Sequence, residues 1–379
     1  MENFVAYNPT KLHFGKDVIE DLGNTMNEFG KRVLFMFGKG SIQKNGIYDA
    51  VMKQLEGIGA EVIEYSGIKS NPVVEDVIRA AELGKLNGVD VILGVGGGSV
   101  IDSAKMTGLA IANSTDPWAI MKGRVKPKST IPLVAVLTIA ATGTEMNGAA
   151  VLQNHKTEEK IGYVSRLNYP KHSFLDPSYT QSVSKDYTAY GIVDLIAHSF
   201  ESYFGGGECS LSDRFVESIV KEAMESGPKV LKEPDNYEYR ANIMWSATNA
   251  LNGMLDYGRA GGDWGVHDIG HNISYLYNTP HGATLSIAYI AWLKLQSDRI
   301  PGRIKKLGRQ LFNVDSVDKT IEKLEEFFKS IGSPVRLSEI GIEKDQQERI
   351  TNQMLKTEAS GYVHQLSDDD RKRVVELMM

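Results

Sequence analysis

Short apolar runs set the rhythm of the first half of the chain. RVLFMFG (32–38), AEVIEYSG (60–67), VDVILGVGGG (89–98) and IPLVAVLT (131–138) are rich in β-branched and aromatic residues and are punctuated by Gly or Pro. That pattern predicts buried strands. NGIYDAVMKQLEGIG (45–59) and VEDVIRAAELGKLNG (74–88) lie between them with helical spacing. Alternation of this kind predicts a parallel sheet with helices on both faces. The strand-like SFLDP (173–177) closes this half.

Past Asp186 the strand signal nearly vanishes. DYTAYGIVDLIAHSFESYF (186–204), SDRFVESIVKEAMESGPKVL (212–231), DNYEYRANIMWSATNALNGML (235–255) and TIEKLEEFFKSIG (320–332) all show helical spacing. The expected architecture is therefore an α/β domain over 1–182 followed by an all-α domain over 183–379. The boundary falls in a stretch crowded with Pro, Ser and Thr. The chain has no internal repeat and no low-complexity tract.

Composition narrows the partners. The 379 residues are 42% hydrophobic and 24% charged, with a net charge of −6, enough for two domains that each bury a core. The absence of a basic block argues against nucleic acid and anionic membrane as partners. The longest apolar run, Ile131–Ala141, is too short to span a bilayer. MENFVAYNPTKLHFG at the start has an early acid and no long apolar core, so no signal peptide is expected. The single cysteine, Cys209, cannot form an internal disulfide and suits the cytoplasm. It also means that any metal site must rely on nitrogen and oxygen donors.

One candidate site is a glycine loop. In DVILGVGGGSVIDSAK (90–105), Gly96, Gly97, Gly98 and Ser99 stand between a buried strand and a helix. Glycines allow close approach of a phosphate, and the helix N-terminus offers N–H groups and a positive dipole end. The plainer alternative is a turn with a capping box, Ser99 to Asp102. A second triplet, FGGGECS (204–210), follows a helix-like segment and reads as an ordinary loop. At the end of the first strand, VLFMFGKGSIQK supplies Gly38, Lys39, Gly40 and Ser41, with Lys44 nearby. A carboxylate there would bind a ribose 2′-hydroxyl, whereas small residues and lysines would accept a 2′-phosphate. The expectation is NADP(H) over NAD(H). The alternative is that Lys39 and Lys44 are solvated surface charges.

The other candidate is a concentration of histidines. WGVHDIGHNISYLYNTPHG (264–282) holds three of the eight in the chain, His267, His271 and His281. Upstream, GIVDLIAHSFESY (191–203) places Asp194 and His198 four apart, on one helix face. His267 and His271 share that spacing, and His281, after Pro280, is expected at a turn or helix start. One carboxylate and three imidazoles suit divalent iron, zinc or nickel, but spacing does not say which three histidines bind. His13, His155, His172 and His364 stand in isolated polar or loop-like contexts and read as structural or surface residues.

These residues together resemble the iron-containing, or group III, alcohol dehydrogenases, in the branch of bacterial butanol dehydrogenases and broad-range aldehyde reductases. The likeness runs through NPTKLHFGKD, SNP (70–72), GGGSVIDSAK, TIAATGTEMNGAAV (138–151), FLDPSYT (174–180), GIVDLIAHSFESYF and HDIGHNISYLYNTPHG. It implies metal ligation by Asp194, His198, His267 and His281, with Fe2+ favoured and Zn2+ or Ni2+ compatible. It implies a proton-moving role for His271 and dinucleotide contacts at Gly38, Asn71, Gly97, Gly98, Ser99, Asp102, Thr138, Thr142 and Lys160. The implied fold is a dinucleotide-binding α/β domain and a helical metal domain with the site in the cleft between them, usually as a homodimer. Asn147, Val151, Leu255 and Trp264 fall near pocket positions, which implies a mostly apolar pocket for a small alcohol or aldehyde. Two departures are visible. AATGTE, from Ala140, stands where many relatives have AGTGSE, and Gly38 replaces an Asp common in relatives that use the unphosphorylated cofactor. Glycerol dehydrogenases and dehydroquinate synthases share the fold and are the rival expectations, with a non-catalytic dinucleotide or metal sensor as a third.

Overall fold

The computed structural model describes residues 1–379. The chain divides into two compact units, Tyr7–Val183 and Ser184–Met379, the latter joined by Met1–Ala6.

In the first unit, six parallel strands form one sheet: β1 (Lys11–Phe14), β2 (Arg32–Phe37), β3 (Glu61–Tyr65), β4 (Val91–Gly96), β5 (Leu133–Leu137) and, later in the chain, β8 (His172–Leu175). Their order across the sheet is β1-β8-β5-β4-β2-β3. β4 and β5 are buried along their whole length, which is why they read as continuous apolar runs rather than alternating ones. The long helices α1 (Ile47–Gly57), α2 (Val74–Leu86) and α3 (Gly98–Asn113) connect successive strands. One layer of core, including Leu22, Phe35, Phe37, Val51, Leu55, Val91, Val95 and Phe174, lies under α1. A second cluster, with Val74, Val77, Met106, Leu109 and Trp118, gathers around α2 and α3. The parallel sheet with flanking helices is as the sequence pattern leads one to expect.

Two features escape that pattern. β1 is only four residues long with a mixed exposure pattern. β6 (Ala149–Asn154) and β7 (Glu159–Val164) form a separate antiparallel hairpin. His13 and His172 are also not isolated, contrary to the sequence reading. Pairing of β1 with β8 brings His13 Nε2 to 3.0 Å from His172 Nδ1 across 159 positions, and His13 stacks on Phe174.

The second unit is helical: α4 (Lys185–Phe204), α5 (Ser210–Lys232), α6 (Tyr237–Ala250), α7 (Gly265–Tyr277), α8 (His281–Gln296), α9 (Pro301–Phe312), α10 (Val317–Ser330), α11 (Gln347–Lys356) and α12 (Asp368–Met378). α8 is its axis. Residues Gly282 to Leu293 are all buried, so this helix is apolar around its circumference. Tyr289 Oη donates to the Ala197 carbonyl of α4, and Phe204 packs edge-on against Trp292. The FGGGECS loop is more than a linker, because Gly206 pairs with Gly261 in an antiparallel bridge. No helix is long and apolar enough to cross a membrane.

The histidine pair makes acid stability testable. Burial and mutual repulsion lower the pKa of His13, and burial lowers that of His172, despite Asp21 and Glu28 nearby; Lys11 adds to the lowering. The folded state therefore resists protons that the unfolded chain accepts, so stability is lost as pH falls below the ordinary histidine value of 6.5. Thermal melts should show a falling midpoint below that pH, and His13→Asn should make the fall shallower.

Candidate functional site

The sheet changes direction between β2 and β4. From β2 the chain steps outward to β3, then returns to place β4 on the other side of β2. In open parallel sheets, ligands bind outside the carboxyl ends of the strands at such a switch point. Gly38 follows β2 there, and Gly97, Gly98 and Ser99 follow β4. Gly97 and Gly98 are glycines because the loop after β5 lies against them. A Cβ on Gly98 would stand 2.7 Å from Thr142 Oγ1, and one on Gly97 would stand 3.0 Å from Ile139. Thr138 continues the same edge, its amide bonded to the Gly96 carbonyl. No side chain caps α3. The hairpin delivers Lys160, whose Nζ donates to Asn71 Oδ1 at 2.8 Å, joining two positions that the sequence nominated separately. Gly40 precedes the one-turn helix Ser41–Lys44, and Lys39, Ser41 and Lys44 are exposed.

The capping box between Ser99 and Asp102, the plainer alternative for this stretch, does not form. Ser99 lies inside the first turn and its hydroxyl donates to the Ser70 carbonyl. Asp102 turns into the core, where it accepts from Thr144 Oγ1 at 2.7 Å and from the Val151 amide at 2.8 Å. Lys105, one turn further and 1% exposed, donates to Thr144 Oγ1, the Asn147 carbonyl and the Ala149 carbonyl. Burial raises the Asp102 pKa and pushes Lys105 down to about 8. Asp102 and Lys105 thus pin segment 144–151 to α3. The sequence reading missed Lys105, although its place in the DSAK tetrad, on an otherwise small and apolar helix, was a signal.

In the helical unit the histidine motifs converge. Asp194 Oδ1 stands 3.6 Å from His198 Nδ1 on its own helix, 3.8 Å from His267 Nε2 at the start of α7 and 3.9 Å from His281 Nε2 at the first residue of α8. Ligand atoms of Asp194, His267 and His281 all lie within 4.8 Å of one another. His198 falls outside that tight triad, but its ring is 4.6 Å from that of His267. The spacings to Asp194 are too long for hydrogen bonds. They are within a few tenths of an ångström of the separation of two donors on one cation with bonds of about 2.0–2.2 Å. Asp194 Oδ1, His198 Nδ1 and His267 Nε2 are buried without a hydrogen-bond partner. Two orphaned imidazole nitrogens beside an orphaned carboxylate oxygen fit a divalent cation, with His198 outside the Asp194, His267 and His281 triad.

The surroundings split the imidazoles. Burial drives His198 down to about 4, which keeps it neutral. Burial acts the same way on His267, but the carboxylates of Asp194 and Glu201 outweigh it and hold that ring up to about 9. Glu201, a residue the sequence reading did not nominate, is 2.7 Å from His267 Nδ1. Its position three residues after His198 was the legible signal. His271, 9% exposed, follows His267 by one turn and its ring lies 5.2 Å from that of His281. Trp264 ends the preceding loop with φ 64° and stacks edge-on to His267.

Comparison with known proteins shows the family. The family model described as iron-containing alcohol dehydrogenase matches residues 9–177, and that of the C-terminal part of the same family matches 188–379. The chain belongs to the iron-containing alcohol dehydrogenase family. Within it the chain falls in the branch of butanol dehydrogenases and aldehyde reductases. It is 39% identical to the probable NADH-dependent butanol dehydrogenase 1 of Bacillus subtilis, over 98% of both chains. It is 35% identical to the NADPH-dependent aldehyde reductase YqhD of Escherichia coli, over 90% of both. The crystal structure of NADH-dependent butanol dehydrogenase A from Thermotoga maritima superposes with a TM-score of 0.96 at 39% identity, covering 100% of this chain and 99% of that one.

The start of α8 offers a test by crowding. A methyl group on Gly282 would overlap the Tyr190 carbonyl of α4. Gly282→Ala should displace His281, cost about 1–3 kcal/mol of stability in urea unfolding, and lower the metal content of the purified protein.

Proposed function

We propose that this enzyme interconverts small aliphatic aldehydes and primary alcohols, with NADP(H) preferred over NAD(H) and one divalent cation, Fe2+, held by Asp194, His198, His267 and His281. Zn2+ and Ni2+ suit the same donors. The observation that carries this reading is the triad of Asp194, His267 and His281, with His198 Nδ1 3.6 Å from Asp194 Oδ1, where three buried polar atoms lack partners. The names of the relatives, butanol dehydrogenase and aldehyde reductase, support the substrate class and do not favour a polyol oxidoreductase or a lyase. In this reading residues 1–182, apart from Met1–Ala6, which belong with the helices, form the dinucleotide domain and 183–379 the metal domain, and the enzyme works as a cytoplasmic homodimer.

A bound cation of this kind supplies Lewis acidity to the substrate oxygen, and the dinucleotide carries the hydride. The chain's own contribution is placement. The backbone at Gly97 to Ser99, at the uncapped start of α3, receives the pyrophosphate. Lys160 and Asn71 hold each other in place at the same edge. His271 holds the hydroxyl proton and passes it on, a step worth about 10²–10⁴ in rate. The cofactor preference is supported by the end of β2, where Gly38, Lys39, Gly40 and Ser41 present no carboxylate to repel a 2′-phosphate. The relatives divide on this point, NADH in the Bacillus name and NADPH in the Escherichia name.

Metal-loaded protein should consume NADPH with butanal. Silence with butanal but activity on glycerol or on a sugar-acid phosphate would reject the substrate class. kcat/KM should be higher for NADPH than for NADH, and the reverse order would reject the cofactor preference. His267→Ala should lose both metal and turnover. His271→Ala should keep its metal while kcat falls about 10²–10⁴-fold, and loss of metal there would make it a ligand instead.

A further inference from the structure

We propose that Glu201 is a positioning residue for the metal centre, fixing the tautomer and the aim of His267 so that Nε2 meets Asp194 as a lone-pair donor. The inference rests on the ligand reading above.

Glu201 is 1% exposed and sits on α4, two turns after Asp194 and one after His198, on the face that carries both. Its two oxygens accept three hydrogen bonds from the neighbouring segment. Oε2 takes the Trp264 amide at 2.6 Å. Oε1 takes the His267 amide at 3.1 Å and His267 Nδ1 at 2.7 Å. A carboxylate already accepting from two backbone amides has only acceptor capacity to offer the ring. Nδ1 must therefore carry a proton whatever the charge of the ring, which leaves Nε2, the atom 3.8 Å from Asp194 Oδ1, as the one nitrogen that can offer its lone pair to a cation that displaces any proton there. Carboxylates that receive the outer N–H of a ligating histidine orient the ring and raise its donor strength.

The same carboxylate also sets where the ring starts. Trp264 has φ 64° immediately before α7, and no side-chain hydrogen bond from Trp264 itself caps that helix. Amides of a helix's first turn have no partner within the helix. Glu201 reaches across from α4 to satisfy two of them, so the backbone carrying His267 and the ring itself are held by one group. A helix cap alone would need only the backbone bonds. The third bond, to Nδ1, is the one that speaks to the metal.

The test uses the full-length protein and Zn2+ as probe. Dissociation constants come from chelator competition, and the visible spectrum of the Co2+-substituted protein reports ligand geometry. Glu201→Gln keeps the size but replaces one oxygen with an NH2 donor. We expect Zn2+ affinity to fall about 10–100-fold and the Co2+ bands to shift. A Glu201→Gln protein with a lower metal-free melting temperature, yet with wild-type Zn2+ affinity and an unchanged Co2+ spectrum, would make Glu201 a helix cap only and overturn the proposal. If that variant does not fold, Glu201→Asp, shorter by one methylene, serves instead: weakened Zn2+ binding supports the proposal and wild-type binding overturns it. His267→Ala in the same assay separates the two readings. Zn2+ held there at wild-type strength overturns the ligand set and this proposal with it. Zn2+ lost there but held normally by Glu201→Gln overturns this proposal alone.

Discussion

A carboxylate oxygen buried without a proton donor is the constraint around which the helical unit is arranged. Asp194 is 3% exposed and its Oδ1 has no hydrogen-bond partner. Removing an ionised carboxylate from water costs about several kcal/mol unless an opposite charge or donors replace the solvent. The fold brings nitrogens from three separate elements to that oxygen, none close enough to bond to it. In the reading proposed above, a cation of charge two is the compensation. Helices α4, α7 and α8 each contribute, mid-helix for Asp194 and His198 and near the helix starts for His267 and His281.

The α/β unit solves a different problem, the close approach of two backbone segments at Gly97 and Gly98. Its glycine loop is shaped from below. Asp102 and Lys105 fasten segment 144–151 to α3, and the loop after β5 then lies against Gly97 and Gly98. Polar residues that look like ligand contacts along the sequence are here partly scaffold. A buried acid and a buried lysine sharing Thr144 make a rigid floor for the loop, since each group's burial is tolerable only while the others stay in place.

Much of this was legible because it is local. Continuous apolar runs punctuated by Gly or Pro disclosed the sheet, helical spacing disclosed the second unit, and the four-residue spacings put Asp194 with His198 and His267 with His271. What was not legible depends on distant partners. The Ser99–Asp102 pair had the form of a cap, but Asp102 finds stronger donors 42 and 49 positions away. His13 and His172 looked solitary because 159 positions separate them. α8 gave no amphipathic signal because it is buried on every side, and β1 was too short to show a period. Which histidines share the cation lies outside what spacing can say, since helices decide faces and only packing decides which faces meet. Glu201 was in plain view, three residues after His198 on the same face as two nominated ligands, but its hydrogen bonds to the Trp264–His267 segment depend on packing 63 and 66 positions away.

The path of the chain carries one more consequence. Met1–Ala6 belong with the helices, the Glu2 amide bonding to the Gly258 carbonyl and Phe4 stacking on Tyr257, while the next 177 residues form the other unit. During vectorial synthesis the α/β unit can close as soon as it leaves the ribosome. The opening residues must wait, unpaired, until the segment around Tyr257 has been made. For that short segment, the order of translation and the order of assembly therefore run in opposite senses.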